Sequence, residues 1–148
     1  MAKKIKELVK AYYTMWNDGD FDKADTLMHS DIKFQGAMGF DMVGVDAFKE
    51  YAKQVGEAFP DLYHATEIVI SEDERASVYV LYTGVHKGKL YDLEPTGNRI
   101  RYNGATFFTL DDDKFSKIRV LGDRYRLFEQ LGIFSLEDSK MNIPNEYL

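Results

Sequence analysis

The chain contains no cysteine. Disulfides, thiol nucleophiles and thiolate metal sites are therefore excluded together, and the core must hold by packing alone. No run of about 18 apolar residues is present, so no segment is expected to span a membrane. Basic residues are outnumbered, 19 Lys and Arg against 25 Asp and Glu, for a net charge of −6. Together with a pI near 5.1, this makes a surface that repels phosphate backbones, and nucleic acid is not an expected partner. The three histidines form no cluster, so no metal site is expected. The opening Met1-Ala2-Lys3-Lys4-Ile5-Lys6-Glu7 meets an acidic residue where a secretory signal would turn apolar, which predicts a cytoplasmic location.

Aromatic residues stand out among what is present. Ten Tyr, ten Phe and one Trp make up 14% of 148 residues, ample wall material for a pocket. The length and the 45% hydrophobic content fit one globular domain. We place that domain at residues 1–134, with a tail at 135–148 that could wrap or pack on a partner.

Ile5, Leu8, Val9, Tyr12, Met15 and Trp16 recur at helical spacing until Asn17-Asp18-Gly19-Asp20 breaks the pattern, predicting an amphipathic helix. A shorter helix is predicted from Asp20 to Met28, followed by an extended Ile32-Lys33-Phe34. Gly36, Gly39 and Gly44 mark a loop. Asp46 then suits an N-cap for a third helix that buries Phe48, Tyr51, Ala52 and Val55 and stops at Pro60. From Leu62 the period changes. Residues 67–70, 77–82, 100–110 and 115–121 are rich in β-branched and aromatic side chains, predicting four strands in an antiparallel meander. Asn103-Gly104 reads either as a hairpin turn or as a glycine kink within one bent strand, and the kink avoids a very short Arg99–Tyr102 strand. A last helix is predicted over 124–131, ending at Gly132. Helices first and a sheet after is an α+β layout.

Four segments occur in a recognisable order: Phe59-Pro60-Asp61, Gly84-Val85-His86-Lys87-Gly88, Pro95-Thr96-Gly97-Asn98-Arg99, and Asp123-Arg124-Tyr125-Arg126-Leu127-Phe128-Glu129-Gln130-Leu131-Gly132. In that order and spacing they resemble the SnoaL-like polyketide and ester cyclases, within the ketosteroid-isomerase-like (nuclear-transport-factor-like) superfamily, over residues 5–132. The resemblance implies a cone-shaped, cystatin-like α+β cup, with helices packed on the concave face of a curved antiparallel sheet, often in homodimers or homotetramers. It also implies a small hydrophobic carbonyl ligand and cofactor-free acid–base chemistry such as aldol cyclisation or isomerisation.

Asp123 matches the position of the family's acid–base aspartate. Simple strand alternation puts it on one face with Phe115, Lys117, Arg119 and Leu121, and the resemblance makes that face the concave one. An aspartate just ahead of a helix is equally an N-cap. The family's histidine on the preceding strand falls near Thr109, where this chain has none, and Arg119 stands where many relatives carry tryptophan. An arginine beside Asp123 would favour the ionised carboxylate and weaken it as a base. Arg119 could instead hold an enolate or a carboxylate, or simply form a surface salt bridge. His86 could serve as acid or base at the pocket mouth, or could brace a loop. His64 and His29 are weaker candidates, because His64 and Glu67, three apart on a strand, would face opposite ways. Tyr12, Trp16, Phe34, Tyr51 and Tyr82 are candidate wall residues that double as core. The triple aspartate 111–113 reads as a solvated turn. Two functions follow, a cofactor-free enzyme and a binding protein that uses the same cup without turnover. A third reading is an oligomerisation scaffold with a filled cup.

Overall fold

The computed structural model describes residues 2–133; the tail predicted at 135–148 lies outside the described residues. Helix α1 (Ala2–Asp18) is followed by a 3-10 turn (Phe21–Lys23) and a single helical turn, α2 (Ala24–Leu27). Then come β1 (Met28–Gln35), β2 (Asp41–Val43), α3 (Val45–Ala58), β3 (Tyr63–Glu72), β4 (Arg75–Val85), β5 (Arg99–Asp111), β6 (Lys114–Gly122) and α4 (Arg124–Gln130). The α+β cup is as expected. Strands β3 to β6 form the antiparallel meander, and Gly104 lies inside a continuous β5 with no hairpin there.

The sheet is larger than the periodicity showed. Its order is β2-β1-β6-β5-β4-β3, with β1 joined in parallel to β6 and β2 added at the edge, antiparallel to β1. The curved sheet is thus mixed and open. Two strands of the sheet precede α3, where the sheet had been expected to follow three helices; the extended Ile32-Lys33-Phe34 is part of the first of them. The second predicted helix is cut short because Met28 already adopts extended backbone. Helix α3 starts earlier than expected. Gly44, at φ 102, is its N-cap and its amide bonds the Ile32 carbonyl, so the turn needs a glycine conformation and Asp46 falls within the first helical turn.

Helix α1 lays Ile5, Val9, Tyr12, Met15 and Trp16 into the core, and α3 adds Phe48 and Ala52. The sheet's inner face supplies Val78, Val80, Tyr82, Tyr102, Phe108, Ile118 and Val120. Each fully buried side chain of this size stabilises the fold by about 1.5–3 kcal/mol. Close packing of rings needs one bare backbone position: a Cβ on Gly104 would stand 2.7 Å from the Tyr82 ring. Glycine there lets Tyr82 lie across β5 and meet Tyr102, centroid to centroid at 4.8 Å.

Two bulges set which side chains face the cup. In β3 the register slips between Thr66 and Ile68. In β6, Leu110 pairs with Phe115 but Thr109 pairs with Lys117, leaving Ser116 as the extra residue. Phe115 is buried, and past the bulge Ile118 and Val120 are the buried residues. The expected run of Phe115, Lys117, Arg119, Leu121 and Asp123 on the concave face is therefore corrected. Phe115 faces the core, while Arg119 and Leu121 are exposed on the outer face, because one inserted residue reverses the alternation.

Candidate functional site

At the centre of the cup is a chamber of about 40 Å³, walled by residues that include Tyr12, Tyr13, Trp16, Phe34, Tyr51, His64, Tyr82, Tyr102, Thr106 and Val120. Tyr12, Trp16, Phe34, Tyr51 and Tyr82 stand on it as the sequence suggested. Tyr13, His64, Tyr102 and Thr106 join them. Helix α1 contributes Tyr12, Tyr13 and Trp16 because consecutive and i+4 positions straddle its wide buried stripe. Before its bulge β3 turns His64 inward, paired with Tyr82 on β4.

His64 is held from both sides of its backbone. The Asn17 side chain accepts the His64 amide at 2.7 Å and donates to the His64 carbonyl at 3.0 Å, so one carboxamide at the end of α1 fixes the ring's base. The imidazole lies against Trp16 at 5.0 Å and Tyr82 at 5.0 Å. Burial pushes its pKa from 6.5 down to about 3, since no opposite charge compensates the lost solvation of the cation. At neutral pH the ring is uncharged. Desolvation acts oppositely on the phenols: Tyr12, Tyr13, Tyr51 and Tyr102 are raised above their ordinary value, and Tyr82 is pushed up to about 12. They remain protonated donors.

Three chamber residues keep a buried polar atom without an aligned partner: Tyr13 Oη, Trp16 Nε1 and His64 Nδ1. Polar neighbours exist, for the Thr106 hydroxyl moderates the shifts of Tyr13 and Tyr82, yet it makes no aligned hydrogen bond to Tyr13. Burying such a group unpaired costs about 1–3 kcal/mol, so three in one chamber mark a place where polar ligand atoms are well received. A space of this size holds roughly two or three waters.

Outside the chamber, a vestibule of about 220 Å³ is lined by Met38, Gln54, Glu57, Lys89, Leu90 and Tyr91 and shares Tyr51 and Val55 with the inner space. Phe40 meets Tyr91 above it, 5.7 Å between centroids. On the opposite side, Tyr13 and His64 also line an outer groove of about 560 Å³ between α1 and β3.

The remaining sequence candidates lie elsewhere. Asp123 is exposed and caps α4, its Oδ1 accepting the Arg126 amide at 3.1 Å, so the N-cap alternative describes its geometry. Arg119 is exposed on the outer face opposite Phe107 and makes no ion pair among the described residues. Thr109 pairs with Lys117 and lines an outer surface with Glu72 and Arg75. His86 is fully buried but braces a loop: its Nδ1 accepts the Thr96 amide at 3.1 Å and lies 3.0 Å from the Thr96 hydroxyl. Burial lowers its pKa too. His29 bonds the Asp111 carbonyl through Nε2. No group of three or more His, Asp or Glu suited to a metal occurs among the described residues, and none of their helices is long and apolar enough to cross a membrane.

A sequence model of the SnoaL-like polyketide cyclases matches residues 6–131. Among solved structures, a candidate SnoaL-like polyketide cyclase from Jannaschia sp. CCS1 is 20% identical, with a TM-score of 0.83 over 90% of this chain and 95% of its own. TsrD from Streptomyces laurentii is 17% identical, with a TM-score of 0.82 over 90% of this chain and 98% of its own. A SnoaL-like polyketide cyclase from Agrobacterium tumefaciens is 21% identical, with a TM-score of 0.72 over 86% and 97%. At these identities the likeness establishes the fold. A search of curated protein sequences finds no match.

Proposed function

This chain belongs to the SnoaL-like polyketide cyclase family, and from that premise we propose that its cup binds a small, uncharged, hydrophobic carbonyl compound and activates it without a cofactor. One observation carries the reading: Tyr13, Trp16 and His64 each bring to one aromatic chamber a buried polar atom without an aligned partner, although Thr106 stands near Tyr13 and the Tyr12 hydroxyl near Trp16. Such groups suit a carbonyl oxygen and strengthen as negative charge grows on it, the requirement for easing enolisation. A neutral imidazole can polarise a carbonyl, as the lowered-pKa histidine of triosephosphate isomerase does in a worked precedent. Among the described residues nothing cationic lines the chamber, which disfavours a carboxylate there.

A second reading, binding without turnover, is favoured by the absence of any carboxylate from the chamber wall among the described residues and by the exposed, helix-capping position of Asp123. Exchange of α-protons in D2O, followed by NMR with cyclohexanone as probe, separates the two. The enzyme reading expects exchange above the buffer rate that falls at least about tenfold in His64→Leu, the loss of one oxyanion-type donor or more. Binding with exchange at the buffer rate would leave the binder.

A second copy of the chain is the partner we propose, seated on the outer sheet face. Register aligns Ile68, Tyr79, Ala105 and Leu121 across β3 to β6, then Ile70, Ser77, Phe107 and Arg119, then Glu72, Arg75, Thr109 and Lys117. Of these, Ile68, Ile70, Tyr79, Phe107 and Leu121 are exposed, the kind of apolar grouping that marks an interaction face. A two-fold axis parallel to the strands sets β3 of one copy against β6 of the other. Ile68 then meets Leu121 and Glu72 meets Lys117, apolar against apolar and acid against base.

A further inference from the structure

We infer that Tyr51 determines which ligands enter the cup, its phenol standing as a movable wall between vestibule and chamber. The inference rests on the carbonyl-binding reading above. Tyr51 and Val55, one helical turn apart on α3, are the residues common to both spaces, so the two cavities are separated by their side chains. Val55 is short and branched. Tyr51 is the longer obstacle.

Its seat is built for it. A Cβ at Gly36 would stand 2.6 Å from both Cζ and Oη of Tyr51, so the end of the phenol lies directly on bare backbone. The Ala37 backbone amide also bears on the hydroxyl. On the inner side the ring meets Phe34 at 5.6 Å and Trp16 at 6.4 Å. With the ring seated, the chamber is about 40 Å³, whereas benzene occupies an engineered cavity of about 150 Å³. From the vestibule, a cyclic ketone therefore reaches Tyr13, Trp16 and His64 once Tyr51 has left its seat, and that 220 Å³ space is the one into which the ring can turn. The fraction of molecules with the ring displaced scales the apparent affinity, and the penalty grows with the ligand's bulk. Tyr51 thus selects by size.

The test titrates the full chain with cyclohexanone and with the bicyclic 2-decalone, reading the fluorescence of Trp16, the only tryptophan in the sequence. Wild type is compared with Tyr51→Ala, with Tyr51→Leu, which keeps apolar packing should the alanine variant unfold, and with His64→Leu. Both Tyr51 variants are expected to bind 2-decalone at least about tenfold more tightly than wild type, with a smaller gain for cyclohexanone, the signature of a removed conformational penalty. Equal affinities in wild type and both variants, with cyclohexanone binding weakened by His64→Leu, would overturn the wall and leave the carbonyl site standing. Failure of every protein to bind either ketone, or indifference of binding to His64→Leu, would overturn the site and the wall together.

Discussion

Acidification should destabilise this protein in good part through one side chain inside its cup. His64 is 7% exposed, and burial takes its pKa from 6.5 to about 3 in the folded chain. Below the unfolded value the denatured chain takes up a proton that the native chain refuses. The neutral-ring contribution is therefore intact above about pH 6.5 and is lost as pH falls from there toward 3. Within that window the slope is about 1.4 kcal/mol per pH unit, so between pH 7.5 and pH 5 the loss from His64 alone is about 2 kcal/mol, a sizeable part of a total stability of about 5–15 kcal/mol. His86, also lowered by burial, pushes in the same direction, so the assay must be differential. Urea unfolding of wild type and His64→Leu at both pH values isolates the term, because His86 is common to both. Wild type should lose about 2 kcal/mol more than the variant over this interval. Parallel losses would mean that His64 titrates as a solvated imidazole, and its desolvation among the chamber's rings would be refuted.

Asp123→Ala should cost about 1 kcal/mol in urea unfolding and Asp123→Asn almost nothing, because asparagine caps a helix as well as aspartate does; ketone binding that disappears in the asparagine variant would return Asp123 to the site. Asn17→Ala removes both hydrogen bonds to the His64 backbone and should destabilise by about 1–3 kcal/mol while broadening the His64 ring resonances. An unchanged His64 spectrum would show that the ring is held by its aromatic neighbours alone. Leu121→Asp sets a carboxylate in the outer apolar row and should shift sedimentation toward the monomer while leaving Trp16 fluorescence unchanged; a variant that sediments as wild type does would remove that face as the interface.

Sequence patterning revealed what periodicity can reveal. The stripe on α1 and the alternation of β4 and β5 were legible, and with them the wall residues Tyr12, Trp16 and Tyr82, because those elements run without interruption. Strand β2 escaped detection because three residues between glycines carry no alternation to read. The inner site was partly hidden for a different reason. His64 looked ordinary because its significance comes from burial among rings contributed by α1 and β4, a long-range property that no local window contains. A signal existed in Asn17, a polar residue closing a buried helical stripe, but its partner lies 47 positions away. Asp123 drew attention as a motif residue, and its strand context misled because a bulge has no sequence signature as plain as a turn.

That extra residue at Ser116 behaves as a frameshift written in three dimensions. Upstream and downstream of it, β6 obeys the same alternating grammar but begins on opposite letters. Two relatives with the same residue types in this strand could therefore offer different chemistry to the cup merely by bulging at this position or pairing straight through it. Deleting Ser116 would remove the bulge and leave Ile118 and Val120 facing the core, whereas pairing Ser116 as an ordinary strand residue would turn Arg119 and Leu121 to the interior and Ile118 and Val120 to solvent. A lineage wishing to exchange its inner surface for its outer one would need no new side chains in this strand, only a change of pairing.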